Sequence, residues 1–325
     1  MDLKGKRALV TGGAGFIPST IVDELLRRGA QVRVLDDLSD GREENLAGVR
    51  GRVEFRRGDV RDFETVRTAV AEQQLIFHLA ANANVPRSVK EPLVDFAINA
   101  NGTANILEAA RLAGGKVERI LFASSAAVYG APVRTPMDES HPLNPISPYG
   151  ASKLAGERLG FAYRSAYGTP FTAMRIFNTY GPRQPRYVIH DLFRKLQQNP
   201  HRLEVLGTGE QVRDYSFVAD TARAFVDAAA DPRTDGEALN IAGGRPISIR
   251  DLVKLILQTL RLSDTQVTYT GQSWPGDIAT LSGDIRKIQG FGFAPTTTLE
   301  EGLSQFAAWI ADRPVPANFS APKTS

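Results

Sequence analysis

The chain has 325 residues, of which 42% are apolar and 23% charged, the balance of a folded globular protein with room for a large core and two domains. It has no cysteine, which excludes disulfides and thiolate chemistry, and its four histidines (His78, His141, His190, His201) stand far apart, so no metal centre is expected. The net charge is only +3, with Lys and Arg dispersed among Asp and Glu, and no window approaches the roughly 20 apolar residues of a membrane span, so neither a nucleic-acid face nor a membrane segment is expected.

In chain order, "RALVTG", "QVRVLD", "VEFRRGD", "LIFHLAA" and "RILFASS" are short apolar runs with strand character. Between them, "IVDELLRRG", "FETVRTAVAEQ" and "NGTANILEAARLAG" carry helical periodicity. Such alternation predicts an α/β fold with a parallel sheet covered on both faces. A helix starting at "SPYGASK" and a strand "FTAMRIF" continue the series. After Phe177 the order loosens. "YGPRQPRYVIH" is rich in proline and arginine, and it is followed by short strands ("LEVLG", "ALNIAG", "VTYTG") and helices ("ISIRDLVKLILQTL", "LEEGLSQFAAWIA"). Residues 1–177 are therefore expected to form one domain. Residues 178–312 should form a smaller α/β substrate lobe, interleaved with the first, and 313–325, proline-rich and polar, a loose tail. "MDLKGKR" leads straight into the first strand with no signal-peptide pattern, and the protein is read as cytoplasmic.

Chemistry enters at "VTGGAGFIPS". A G-x-x-G turn, Gly12 and Gly15, lies between the first strand and the first helix, where backbone can approach a pyrophosphate at a helix N-terminus. "VLDD" closes the second strand about 20 residues on, where an acid holds an adenosine ribose. Asp36 is that acid, and with Asp37 beside it a 2′-phosphate would be repelled, so NAD is expected over NADP. These features specify a Rossmann-type doubly wound sheet. Pro18 stands where a third glycine is expected, and its ring is expected to push the helix slightly outward.

With "GDV", "HLAA", "SSAAVYG" and "YGASK" following in this order, the chain resembles the extended short-chain dehydrogenase/reductases, and among them the NAD-dependent sugar-nucleotide epimerase/dehydratase group, from Arg7 to about Ile310. The resemblance implies a nucleoside-diphosphate sugar as substrate and a homodimer formed through a helix bundle that includes the "SPYGASK" helix. It implies that Gly12, Gly15, Phe16 and Ile17 form the pyrophosphate turn. Asp36 holds the ribose, Asp59 and Val60 lie beside the adenine, and Leu79, Ala80 and Ala81 line the nicotinamide side. Asn99 matches a structural asparagine near the cofactor. Ser125 matches the catalytic hydroxyl, and Tyr149 and Lys153 the catalytic pair. Asn178 and Arg213 match groups that hold the substrate diphosphate, and Asp277 one that contacts the nucleotide ribose. Trp274 of "WPGDI" replaces an expected arginine, and Arg183, Arg186 and Arg213 are candidates to supply its charge.

The tyrosine–lysine spacing has a physical reading of its own. Ser147 suits an N-cap and Pro148 the first helical position. Tyr149 and Lys153 then share a helix face, about 6 Å apart along the axis. A nearby ammonium favours phenolate, which can take a proton from a sugar hydroxyl. In the related 4,6-dehydratases an Asp–Glu pair follows the catalytic hydroxyl; Ala126 and Ala127 stand there instead, which argues against dehydration, and a 4-epimerase of a nucleoside-diphosphate hexose is the favoured reading. Decarboxylation, dehydration and 4-keto reduction on the same scaffold are the alternatives, followed by a non-catalytic NAD-binding regulator.

Overall fold

The structure is a computed structural model that describes residues 1–272 and 278–315. The first half winds as expected: β1 (Arg7–Thr11), α1 (Phe16–Arg27), β2 (Gln31–Asp36), β3 (Val53–Arg57), α2 (Phe63–Val70) and β4 (Leu75–His78). Then come α3 (Val85–Lys90), α4 (Pro92–Phe96), α5 (Gly102–Leu112), β5 (Arg119–Ser125), α6 (Pro148–Tyr167) and β6 (Thr172–Ile176). β1, β4 and β5 are almost wholly buried, as strands covered on both faces must be. The helix read as starting at Asn101 begins earlier: α4 runs through a π-helical turn, Ala97–Asn101, into α5.

Beyond β6 come β7 (Asn178–Tyr180), α7 (Val188–Gln198), β8 (Arg202–Val205), β9 (Val212–Phe217), α8 (Val218–Ala230) and β10 (Ala238–Ile241). The chain continues through β11 (Pro246–Ser248), α9 (Ile249–Leu260), β12 (Gln266–Tyr269), β13 (Thr280–Leu281), α10 (Arg286–Gln289) and α11 (Leu299–Ala311).

The large sheet has seven parallel strands in the order β10-β6-β5-β4-β1-β2-β3. The order reverses between β1 and β4, which places a ligand crevice at their C-terminal ends. "ALNIAG", read as a strand of the smaller lobe, belongs to this sheet: β10 pairs with β6 from Ala238 opposite Ala173 to Ile241 opposite Ile176. α8 returns with it and packs on α1, where Arg28, the residue just after α1, meets Asp227 of α8 at 2.7 Å. The smaller lobe keeps β7, β9, β11 and β13 in one mixed sheet and β8 with β12 in another. Its core is a separate apolar cluster that includes Ile189, Phe193, Leu203, Leu252, Ile256, Leu303 and Phe306.

Candidate active site

The turn between β1 and α1 is shaped by what its residues lack. Gly12 has φ +68°, and a Cβ there would stand 2.9 Å from the Ala80 Cα, so the turn presses directly on the segment after β4. Gly15 caps α1 with no side-chain acceptor, and no acid stands in the first turn, so the N–H groups there are left for an anion. Pro18 is buried in that first turn, where no helical hydrogen bond is lost. A Cβ on Gly15 would lie 3.2 Å from the Pro18 Cγ, so the glycine leaves room for the ring.

Asp36 ends β2 and is buried. Its carboxylate accepts the Ala14 N–H at 2.9 Å and the Leu38 N–H at 2.8 Å. Burial pushes its pKa up against these bonds, and the charges of Asp37 and Asp40 push the same way. Three neighbouring carboxylates favour ribose hydroxyls over a phosphate. Asp37 itself is exposed and binds Ser39, and the Asp59 carboxylate is held by Arg61. Val60 is buried against Gly102 at the start of α5.

The Leu79–Ala81 segment is fixed from below. Leu79 and Ala80 each donate a backbone N–H to the Thr11 Oγ1, at 3.1 Å. That hydroxyl meets the His78 Nδ1 at 2.8 Å, and the His78 Nε2 meets the Thr103 Oγ1 at 3.0 Å. Thr103 in turn donates to the Asn99 carbonyl. The donor count leaves His78 neutral with its proton on Nε2, and burial, then the Lys153 charge, lower its pKa to about 3. Asn99 is turned into the fold rather than toward the crevice. Its Oδ1 accepts the Asn82 N–H at 2.8 Å, and its Nδ2 reaches Asp95, Ser152 and the Asn82 carbonyl at 3.0 to 3.2 Å.

Helix α6 starts as its sequence dictates. The Ser147 hydroxyl accepts the Gly150 N–H at 3.1 Å, and Pro148 takes the first position. The Ser88 hydroxyl of α3 accepts the Tyr149 N–H at 3.1 Å. Gly150 is required by proximity: a Cβ would stand 2.5 Å from the Ala127 carbonyl oxygen, so α6 begins directly against the short 3-10 turn Ala126–Val128. This brings Ser125, at the end of β5, to Tyr149. Burial raises the Tyr149 pKa, with Tyr187 and Asp95 adding to it, while the hydrogen bond with Ser125 and the Arg186 charge pull it down. Lys153 is 3% exposed; it donates to the Ala123 carbonyl at 2.9 Å and lies over the Phe122 ring. Burial lowers its pKa to about 8, against the opposing pull of Asp95.

The second lobe contributes Asn178 on β7 and Arg213 on β9, paired strands in which Asn178 lies opposite Tyr215. Asn178 donates to the Asp214 carbonyl and Arg213 to the Val212 carbonyl. Arg186 faces both Tyr149 and Asp40, a junction no sequence pattern announces. Tyr187, next to it, donates to the Ala83 carbonyl at 2.7 Å and so bridges the lobes after β4. The Arg183 guanidinium pairs with Asp23 of α1 at 2.8 Å. Trp274 and Asp277 lie outside the described residues. Gln184 Oε1, Arg186 Nε and Tyr215 Oη are buried without a hydrogen-bond partner among the described residues.

A seven-stranded parallel sheet with an uncapped glycine turn, a ribose acid at the end of the next strand and a Ser-Tyr-Lys constellation defines an extended short-chain dehydrogenase/reductase. The family description GDP-mannose 4,6 dehydratase matches residues 9–306. A putative UDP-glucose 4-epimerase of Methanocaldococcus jannaschii is 35% identical over 93% of this chain and 97% of its own. A UDP-glucose 4-epimerase of Mycolicibacterium smegmatis is 38% identical over 94% and 99%. A dTDP-glucose 4,6-dehydratase of Streptomyces griseus is 36% identical over 93% of both chains. Among solved structures, a UDP-glucose 4-epimerase of Thermotoga maritima with UDP-glucose superposes with a TM-score of 0.87 at 33% identity, covering 94% of this chain and 98% of that one. A dTDP-glucose 4,6-dehydratase of Streptomyces venezuelae with NAD bound gives 0.85 at 32%, covering 94% and 97%. The chain belongs to the NAD-dependent sugar-nucleotide epimerase/dehydratase family. Its relatives at similar identity divide between the two reactions.

Proposed function

We propose that the protein is an NAD-dependent 4-epimerase of a nucleoside-diphosphate hexose, most simply a UDP-hexose. The observation that carries this choice is the pair Ala126 and Ala127, which directly follows Ser125 and closes against the start of α6. Dehydration across C5 and C6 needs a base at C5 and an acid at the C6 oxygen, and an alanine supplies neither. The residues present suffice for the simpler chemistry. Tyr149 as phenolate takes the O4 proton and later returns it. Ser125 holds the same oxygen, and the Arg186 charge favours the phenolate. Lys153, as an ammonium with two donors beyond the Ala123 bond, is available to ribose hydroxyls and to the phenolate. NAD, which the turn from Gly12 to Ile17 and Asp36 would hold, would supply the hydride acceptor and donor for C4. Asn178, Arg186 and Arg213 are assigned to the nucleotide diphosphate and Asp277 to the nucleotide ribose, and a homodimer through α6 is part of the same reading.

The test is incubation with a panel of nucleotide sugars in heavy water, followed by mass and NMR analysis. A C4 epimer of unchanged mass, with no deuterium on carbon, is expected. Loss of water with deuterium at C5 would replace the reading with dehydration, and loss of carbon dioxide with decarboxylation.

A further inference from the structure

The loop between β7 and α7, residues 181–187, belongs to the smaller lobe by sequence but reaches out to the large-sheet half. Arg183 pairs with Asp23 of α1 at 2.8 Å. Arg186 reaches Asp40, in the segment after β2, at 3.5 Å. The Tyr187 hydroxyl donates to the Ala83 carbonyl, in the segment after β4, at 2.7 Å. In the large sheet β2 and β4 flank β1, one on each side. Neighbouring residues 186 and 187 are therefore tied to opposite flanks, and the chain there spans the C-terminal end of β1, where the glycine turn lies. The crossing is stiff. Pro182 and Pro185 have fixed φ. Arg183 and Tyr187 have φ of +74° and +81°, conformations that residues with a side chain keep only where contacts hold them. The Arg186 guanidinium also lies over the Tyr187 ring, 5.5 Å from its centroid.

We propose that residues 181–187 form a strap over the bound dinucleotide, and that NAD leaves only when the clasps on Asp23, Asp40 and Ala83 let go. Each clasp closes on an element assigned to the cofactor. Asp23 is on α1, whose uncapped N-terminus takes the pyrophosphate. Asp40 follows the ribose acid Asp36, and Ala83 follows the Leu79–Ala81 segment. The strap is not needed to hold the two lobes together, because β10 in the large sheet and α8 on α1 already do so. Its contacts are of a kind that can open. Both ion pairs are partly exposed and the third clasp is a single hydrogen bond, so each is weak alone. Release that requires all three to break together is slow, while each remains reversible. The inference rests on the family's NAD and on the site assigned to it, but it does not depend on which sugar is turned over or on the reaction that follows.

The experiment is therefore made without substrate, and failure of the epimerase reading would leave its result untouched. Protein loaded with radiolabelled NAD is chased with excess unlabelled NAD, and the label that stays bound is followed in time. Tyr187→Phe and Asp23→Asn each open one clasp, and each should speed release about 2- to 10-fold. Together they should speed it by about 10-fold or more. Glu210→Gln, which breaks a surface pair of the smaller lobe outside the strap, should leave the rate in place. The opposite change tests closure directly. The chain has no cysteine, so Asp23→Cys combined with Arg183→Cys gives a single addressable pair. Bridging that pair with a bismaleimide should slow release relative to the same protein unbridged, and the reagent should have no such effect on Asp23→Cys alone. A contact that only stabilised the fold would not slow release when made permanent. Release at the wild-type rate from the Tyr187→Phe, Asp23→Asn double variant overturns the proposal, and so does a bridged protein that releases NAD as fast as the unbridged one. Should the double variant be purified without NAD, the bridged protein decides.

Discussion

The large-sheet half and the smaller lobe solve the burial of polar groups in opposite ways. In the first, buried polar groups are tied to one another. Glu157, 0% exposed at its side chain, is closed by Arg175, at 4%. Arg175 goes on to the Tyr129 hydroxyl and the Glu139 carbonyl, and Tyr129 to Asn240. Such a network holds β5, β6, β10 and α6 in one arrangement before any substrate arrives. The smaller lobe is built on an apolar cluster, and its ion pairs are mostly at the surface, as between Arg250 and Glu210, with side chains 43% and 71% exposed. Among the described residues, buried polar atoms without partners stand on Gln184, Arg186 and Tyr215, and on Gln73 ahead of β4. The large-sheet half carries a continuous buried polar network, whereas the smaller lobe relies on an apolar core.

The sharpest break in that comparison is made at the reacting group. Tyr149→Phe should keep its fold and its NAD content but lose turnover by at least about 10²–10⁴-fold, read in the nucleotide-sugar assay. Next comes the buried ion pair. Arg175→Met leaves Glu157 uncompensated and should lower unfolding stability by about 3–5 kcal/mol in a denaturant titration. Gly12→Ala should cost about 1–3 kcal/mol, from the positive φ and the contact with Ala80, and should weaken NAD binding in a fluorescence titration. His78 gives a pH signature with a definite sign. Its folded pKa is depressed, so between pH 6.5 and about 3 the unfolded chain binds a proton that the folded one does not. Stability should therefore fall as pH drops through that window, and His78→Gln should remove about 1.4 kcal/mol per pH unit from the slope. The smallest effect belongs to the smaller lobe: Glu210→Gln should change stability by less than about 1 kcal/mol.

What the sequence made legible follows the same division. The inner strands of the large sheet declare themselves because strands buried on both faces are apolar runs, and their helices have one apolar face, while the edge strand β3, with no buried residue, reads as a strand from its place in the alternation. Ser125, Tyr149 and Lys153 are legible because a capped helix fixes the spacing of two of them, and a strand end places the third beside them. Asp95 was not legible, since its partners at 82, 99 and 152 come from three separate segments and an isolated acid in a helix reads as solvated. The π-helical turn hid in ordinary helical periodicity. Arg183 and Arg186 are three residues apart in one loop, yet one reaches α1 and the other faces Tyr149, because Arg183 and Tyr187 adopt positive φ and redirect the chain. "ALNIAG" had a clear strand signature, but a strand's period says nothing about which sheet receives it.

That last strand has a consequence for any attempt to recombine this protein. A cut after residue 177 looks like a domain boundary, but it would strip β10 from β6 and α8 from α1. The amino-terminal fragment would carry a bare apolar strand edge, the template on which chains aggregate. The carboxy-terminal fragment would carry a parallel strand with nothing to pair with. The two halves are therefore not modules that can be expressed apart. Exchanging substrate lobes between relatives will require more than one junction, with residues 218–241 left attached to the recipient's sheet.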